Sequence, residues 1–270
     1  MNDIAAKRSA FRTLHESGCF VIPNPWDIGS AKLLASLGFK ALATSSAGLA
    51  WSHGKRDNEV VLDDVLAHLR AVSAAVDIPV NADFEGGFAA DAEGVARNVS
   101  AAAGTGIAGL SIEDSTGNAT EPLYSFDLAV DRIRAARSAI EGATPNGVLL
   151  TARSEGFLVG RPDLPETIRR LVAYGEAGAD VLYAPGIRTP DEMRAVISAV
   201  QPLPVNVLVY SDFTTVAEVS SLGARRISVG GALARAAWGG FMQAAREIAE
   251  QGTFTLLAKA MPSAELNGAF

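Results

Sequence analysis

Cysteine is almost absent from this 270-residue chain: Cys19 stands alone, so no internal disulfide can form. Placed just before the first strand-like run, it reads as a small buried hydrophobe rather than a nucleophile. Histidine is scarce as well, and His15, His53 and His68 share no metal-ligand spacing, which assigns all three to packing or surface roles. Long apolar runs are missing. Charge or glycine interrupts every one well short of the roughly 18 residues that a membrane span needs, and no apolar core of a secretory leader lies between Met1 and Glu16. A soluble, cytoplasmic protein is expected. Basic clusters are missing too: 23 Lys and Arg stand against 30 Asp and Glu, a net charge of −7, so nothing attracts nucleic acid or an anionic membrane. What is present, 49% hydrophobic and 20% charged residues, is the composition of a globular chain with a large core.

Short β-branched runs alternate with longer segments whose apolar residues recur at helical spacing. The strand candidates are Phe20–Pro23, Lys40–Ser45, Pro79–Asp83, Ala108–Glu113, Val148–Arg153, Asp180–Ala184, Val205–Val209 and Arg226–Gly230. Helical segments follow near 27–37, 62–76, 91–103, 127–141, 165–177, 190–200, 213–222 and 232–251. A weak internal repeat places Gly38, Gly104, Gly178 and Gly223 where a helix ends before a strand, a position that favours left-handed backbone. Helical crossovers between strands demand parallel pairing. Eight such units predict a (β/α)8 barrel; an open doubly wound sheet is the alternative, but no Gly-x-Gly-x-x-Gly turn supports it. The chain reads as one domain, 1–270, with 253–270 a tail suited to docking on a neighbouring subunit.

Active sites of such barrels are built at the C-terminal ends of the strands. There the sequence places Ser45-Ser46-Ala47-Gly48, Asn81-Ala82-Asp83-Phe84-Glu85, Ser111-Ile112-Glu113-Asp114, Arg153-Ser154-Glu155 and Asn206. Asp83, Glu85, Glu113 and Asp114 are expected to converge, and so many carboxylates in one mouth repel unless protons or a cation compensate. An all-oxygen set favours Mg2+ or Mn2+. The competing expectation is that these acids cap helices or pair with Arg153. Arg153 suits a substrate carboxylate or an internal pair with Glu155 or Glu113. The turn from Ser45 through Ser46 and Ala47 to Gly48 offers N–H groups to a carboxylate or oxyanion. Gly230-Gly231 is a weak phosphate cradle, more suited to tight packing.

Together these segments, with Asn24-Pro25-Trp26-Asp27, Gly54-Lys55-Arg56-Asp57 and Ala152-Arg153-Ser154-Glu155-Gly156-Phe157, resemble the isocitrate lyase and phosphoenolpyruvate mutase superfamily. The resemblance implies a barrel whose last helix is exchanged between subunits of a homodimer or homotetramer. It also implies a small 2-oxo carboxylate bound on Mg2+, and a bond made or broken beside its carbonyl through an enolate. On that footing Ser45 and Ser46 hold substrate, Asp83 and Glu113 hold the metal directly or through water, and Arg153 binds substrate. Asp57 matches an acid on a mobile loop, and Asn206 a strand-seven position used for substrate.

Three departures bear on function. The loop Asp114-Ser115-Thr116-Gly117-Asn118-Ala119-Thr120-Glu121 carries no Cys, His or Lys, which disfavours isocitrate or methylisocitrate cleavage. Asn81 replaces the first acid of Asp-x-Asp, with Glu85 able to substitute. Strand six reads Tyr183-Ala184-Pro185-Gly186 where lyases carry Glu and mutases His. Decarboxylation of a 2-oxo acid such as oxaloacetate is the first expectation; phosphonopyruvate hydrolase or phosphoenolpyruvate mutase chemistry is the second, and non-catalytic binding of 2-oxo acids the third.

Overall fold

In the computed structural model, which describes residues 3–143 and 147–270, all eight expected strands form, each shorter by one or more residues at one or both ends. They are β1 (Phe20–Ile22), β2 (Leu42–Ala43), β3 (Val80–Asp83), β4 (Gly109–Glu113), β5 (Leu149–Arg153), β6 (Val181–Tyr183), β7 (Val205–Leu208) and β8 (Arg226–Ser228). Every ladder is parallel, in the order β1-β8-β7-β6-β5-β4-β3-β2. The two ends meet where Ala43 N–H donates to Pro23 O at 3.1 Å, so the sheet is a nearly closed (β/α)8 barrel and not an open one.

Helices α1 (Ile4–Leu14), α2 (Ile28–Ser36), α3 (Ser46–Ser52), α4 (Leu62–Ala75), α5 (Ala92–Ala103) and α6 (Phe126–Ala143) are followed by α7 (Leu164–Glu176), α8 (Pro190–Val200), α9 (Val216–Ser221), α10 (Ala232–Gln251) and α11 (Ser263–Gly268). Their starts are written locally. Thr189 with Glu192, and Thr215 with Glu218, form capping boxes that satisfy the first free N–H groups of α8 and α9. Gly38, Gly178 and Gly223 take the expected positive φ after their helices, but Gly104 stays right-handed at φ −75 and Gly106 two residues on makes the turn instead.

Three helices escaped the sequence reading, the short α11 of the tail among them. The turn expected at Ser45–Gly48 is the first turn of α3, with Ser45 as its cap. The N-terminal segment, read only for its lack of a leader, forms α1 and closes the bottom of the barrel: Phe11 is fully buried among Ile22, Ala41, Ala43, Ala108 and Leu149. Lys7 donates to Ser73 O at 2.8 Å and Arg8 to Ala103 O at 2.8 Å, so both cations sit where free carbonyls end α4 and α5. At the other end α10 packs mainly on the 3-10 turn Thr255–Lys259 of its own tail, and Trp238, Phe241, Met242 and Phe254 stay exposed. No helix of the described residues is long and apolar enough to cross a membrane.

Candidate active site

Alternation along β3, β4 and β5 points every second side chain inward. Asp83, Glu113 and Arg153 therefore meet at the rim, with Glu113 and Arg153 in register. Arg153 Nη1 donates to Asp83 Oδ1 at 2.8 Å, and Nη2 lies 3.2 Å from Glu113 Oε2 and 2.8 Å from Glu155 Oε1. Nε adds a bond to Glu155 Oε1 at 2.9 Å, so one Nη1 hydrogen is left for another acceptor. Burial opposes the guanidinium charge, but Glu155, Glu113 and Asp83 outweigh it and hold its pKa well above the ordinary value. Asp83 is fixed by two further bonds, from Ser46 N–H to its Oδ2 at 3.0 Å and from its own N–H to Thr44 Oγ1 at 2.9 Å.

One arginine does not balance this rim. Burial pushes the carboxyls of Glu113 and Glu155 up. Asp57, on an exposed loop after α3, turns its carboxyl toward the mouth, where desolvation and then the Asp83 charge raise its pKa. Among the described residues the Glu85 side chain has no hydrogen bond or ion pair, while its carbonyl accepts from Glu113 N–H at 3.0 Å; its backbone sits at φ +46, left-handed space that costs a side-chain-bearing residue energy. Desolvation, then Asp83 and Asp57, push it to about 8.

The cavity inside the mouth measures about 200 Å3 and is lined by Ser45, Ser46, Ala47, Asp57, Asn81, Asp83, Arg153, Tyr183, Asn206 and Arg226 among others. Glu85 and Glu113 open instead on an adjoining cleft of about 410 Å3 beneath the β4–α6 loop. The structure thus brings Asp83, Glu113 and Arg153 together as expected, with Glu85 and Asp57 beside them. Arg153 lies between these acids, and no group of three His, Cys, Asp or Glu among the described residues stands in metal-holding geometry. The expectation that Asp114 joins the cluster is corrected. The residue turns away from the mouth and is buried against Arg170 Nη1 at 3.1 Å, Tyr174 Oη at 2.7 Å and Glu155 N–H at 2.7 Å, where it pins the β5–α7 loop.

Other expectations change through competition for hydrogen bonds. Ser45 Oγ is spent accepting from Gly48 N–H at 3.1 Å, so its hydroxyl acts as a helix cap. Asn206 lines the cavity, but its Oδ1 accepts from Arg226 Nε at 2.9 Å and its Nδ2 donates to Ser228 Oγ at 2.9 Å. Gly230 N–H is not free for phosphate; it donates to Asn24 Oδ1 at 2.9 Å. His15, one of the three given packing roles, is buried at the barrel floor: its Nδ1 faces Phe11 O at 2.8 Å and its Nε2 faces Arg226 Nη1 at 3.4 Å. Burial and then Arg226 push its pKa to about 3, so the ring is a neutral acceptor. Arg226 itself was not singled out from the sequence, although a basic residue at an inward position of Arg226-Ile227-Ser228 was the signal for it.

The phosphoenolpyruvate phosphomutase family model matches residues 11–249. The chain belongs to that family. Among curated relatives it is 33% identical over 186 residues to 2-methylisocitrate lyase of Escherichia coli, covering 66% of this chain and 61% of that protein. It is 29% identical to an oxaloacetate decarboxylase of Bradyrhizobium, covering 72% and 68%. Among solved structures, a Burkholderia cenocepacia protein described as a lyase/mutase superposes with a TM-score of 0.95 at 50% identity, covering 98% of this chain and 97% of the other. A phosphonopyruvate hydrolase, solved with oxalate and Mg2+, superposes at 0.85 with 28% identity and coverage of 97% and 95%. The family thus spans lyases, a hydrolase and mutases that handle small carboxylates, and membership alone does not choose among them.

Proposed function

We propose that this chain is a divalent-metal-dependent carbon–carbon lyase that removes CO2 from a small 2-oxo acid of the oxaloacetate type through a pyruvate enolate. The observation that carries this reading is the excess of carboxylates over cations around the rim: Asp83, Glu113 and Glu155 share Arg153 as their one ion-pair partner, with the carboxyls of Asp57 and Glu85 beside them. Oxygen donors with surplus negative charge, one of them unpartnered, fit Mg2+ or Mn2+ better than any softer ion. Asp83 and Glu113, with Glu85 from the side, are the residues that would hold it. When bound, such an ion supplies Lewis acidity toward the carboxylate and keto oxygens of the substrate.

The chain's own groups do the rest. The remaining Nη1 hydrogen of Arg153, at the cavity wall, is the one that would meet a substrate carboxylate, while Ser46 and Ala47 line the same cavity. Asn206 serves by fixing that wall with Ser228 rather than by a free amide. A cavity of about 200 Å3 suits an acid of three or four carbons. The β4–α6 loop brings no thiol, imidazole or amine to the mouth, which favours loss of CO2 over reactions that need a loop acid.

Pyruvate and CO2 formation from oxaloacetate, measured with and without Mg2+, tests the reading. Turnover about 100-fold or more above free Mg2+, lost in Asp83→Asn, is expected; a rate equal to that of the free ion overturns it. Phosphate release from phosphonopyruvate would assign the chain to C–P chemistry instead. Calorimetric binding of oxalate with no turnover of any 2-oxo acid would make it a binding protein. The exposed apolar face of α10 is proposed as the subunit contact of a homodimer or homotetramer, which light scattering of the purified chain checks.

A further inference from the structure

The cavity holds a phenol that the steps above do not use. Tyr183 ends β6, is 8% exposed, and lies under Arg153, whose guanidinium carbon is 5.2 Å from the ring centroid. Ser228 stands beside the hydroxyl and draws its pKa down against the effect of burial. Ser228 Oγ accepts from Asn206 Nδ2, whose Oδ1 accepts from Arg226 Nε, and Arg226 Nη2 donates to Thr151 Oγ1 at 3.1 Å. This row has a direction. Arg226 can only donate, so Asn206 presents Oδ1 to it and Nδ2 to Ser228. Ser228, having accepted, keeps its own proton to donate to the Tyr183 oxygen. The phenolic O–H is then free to turn into the cavity.

We propose that Tyr183 is the proton donor to the enolate carbon, with Ser228, Asn206 and Arg226 as the positioning residues that aim it. The assignment rests on the decarboxylase reading. In the step, the bond between the carboxylate carbon and the adjacent methylene carbon breaks, its electron pair becomes the enolate, and CO2 leaves. The methylene carbon takes the proton from Tyr183 Oη, and the phenolate regains one from water, so one acid dianion and one proton give pyruvate and CO2.

Burial pushes the Tyr183 pKa up to about 12, so the hydroxyl stays a donor at every working pH. The phenolate left behind faces Arg153 and the network headed by Arg226, the only cations among the described residues that line the cavity. Two other carboxyls with raised pKa values stand near. Glu85 opens on the adjoining cleft, and Asp57 hangs on an exposed loop, so neither is held against the inner wall as Tyr183 is.

The experiment follows CO2 and keto-pyruvate together, the latter through lactate dehydrogenase, which reduces only the keto form. In the wild type the two appear in step. In Tyr183→Phe, CO2 release stays within about tenfold of wild type, but keto-pyruvate lags it because the enol leaves and tautomerises in solution. Ser228→Ala gives a shorter lag. A second readout needs no decarboxylation: with metal present, the wild type exchanges the methyl hydrogens of added pyruvate into D2O at least tenfold faster than Tyr183→Phe. Exchange lost in Tyr183→Phe without any CO2 from the wild type would sink the decarboxylase reading and leave Tyr183 as the proton carrier. No lag and no loss of exchange in Tyr183→Phe overturns the proposal, as does a lag that appears in Asp57→Asn instead.

Discussion

Arg153 and Arg226 both lie inside the barrel and line the same cavity, yet their surroundings are opposite. Arg153 holds Asp83, Glu113 and Glu155 at the rim, and its pKa rises above the usual value. Arg226, on the floor side, makes its side-chain hydrogen bonds among the described residues to the neutral acceptors Asn206, Thr151 and His15, and burial pulls its pKa down to about 10. A buried charge without a counter-ion is tolerated only where its hydrogen bonds organise something else. The rim is therefore an electrostatic device with too much negative charge, and the floor is an orienting device made of neutral dipoles around one cation.

The sharpest way to break that comparison is to remove each guanidinium. Arg153→Met leaves three acids without their cation, which costs about 3 kcal/mol near pH 8, or roughly 6–12 °C in Tm. Activity on oxaloacetate should fall at least about 1000-fold. Because the orphaned carboxylates can take up protons, much of the lost Tm returns at pH 5. Calorimetric scans at the two pH values check this. An equal loss at both would mean that Arg153 acts by packing alone.

Metal binding sharpens the contrast from the other side. Mg2+ added to about 100 times its Kd should raise stability by about 2.7 kcal/mol if it binds only the folded chain. Since rim carboxyls with raised pKa values must ionise to bind it, protons are released. Calorimetry in two buffers of different ionisation enthalpy measures their number. Asp83→Asn should abolish the shift in Tm, whereas Arg226→Met should leave it intact; equal loss in both variants would erase the distinction between rim and floor.

These differences explain what the sequence made legible. The period of β-branched runs announced eight strands and the barrel, because strand and helix alternation is local information. Strand ends announced Asp83, Glu113 and Arg153, because alternation fixes which side chains turn inward. Hydrogen-bond competition was not legible. Nothing in Ser45-Ser46 shows that the hydroxyl of Ser45 is consumed by Gly48 N–H, or that Asp114 is taken by Arg170 and Tyr174 from a helix 56 to 60 residues away. The helix α1 was missed because its apolar Phe11 fills a hole that exists only once the barrel has closed.

A smaller effect comes from Arg226 itself. Arg226→Met removes a desolvated charge, which is favourable, but strands Asn206 Oδ1 and Thr151 Oγ1 without their donor at about 1 kcal/mol or more each. The net loss should be about 1–2 kcal/mol and, unlike that of Arg153→Met, nearly the same at pH 5 and pH 8, since no carboxylate pairs with this guanidinium. Urea titrations at both values read it.

The finest test asks whether surplus charge at the rim is felt by the fold. Glu85 has a folded pKa of about 8, above its ordinary value of 4.5. Between those values the folded chain holds a proton that the unfolded chain has lost, so without metal stability is greatest below pH 4.5, as far as this group is concerned, and falls as pH rises toward 8. Partial solvent access reduces the effect to about 1–2 kcal/mol, a few degrees in Tm. Scans of the metal-free chain from pH 5.5 to 8.5 should show that decline, and Glu85→Gln should flatten part of it. Saturating Mg2+ should reverse its sign, because ionised carboxylates then gain a cation. A metal-free chain whose stability rises with pH over this range in a Glu85-dependent way would place that carboxyl in water or against an arginine, and the rim would lose its claim to unbalanced charge.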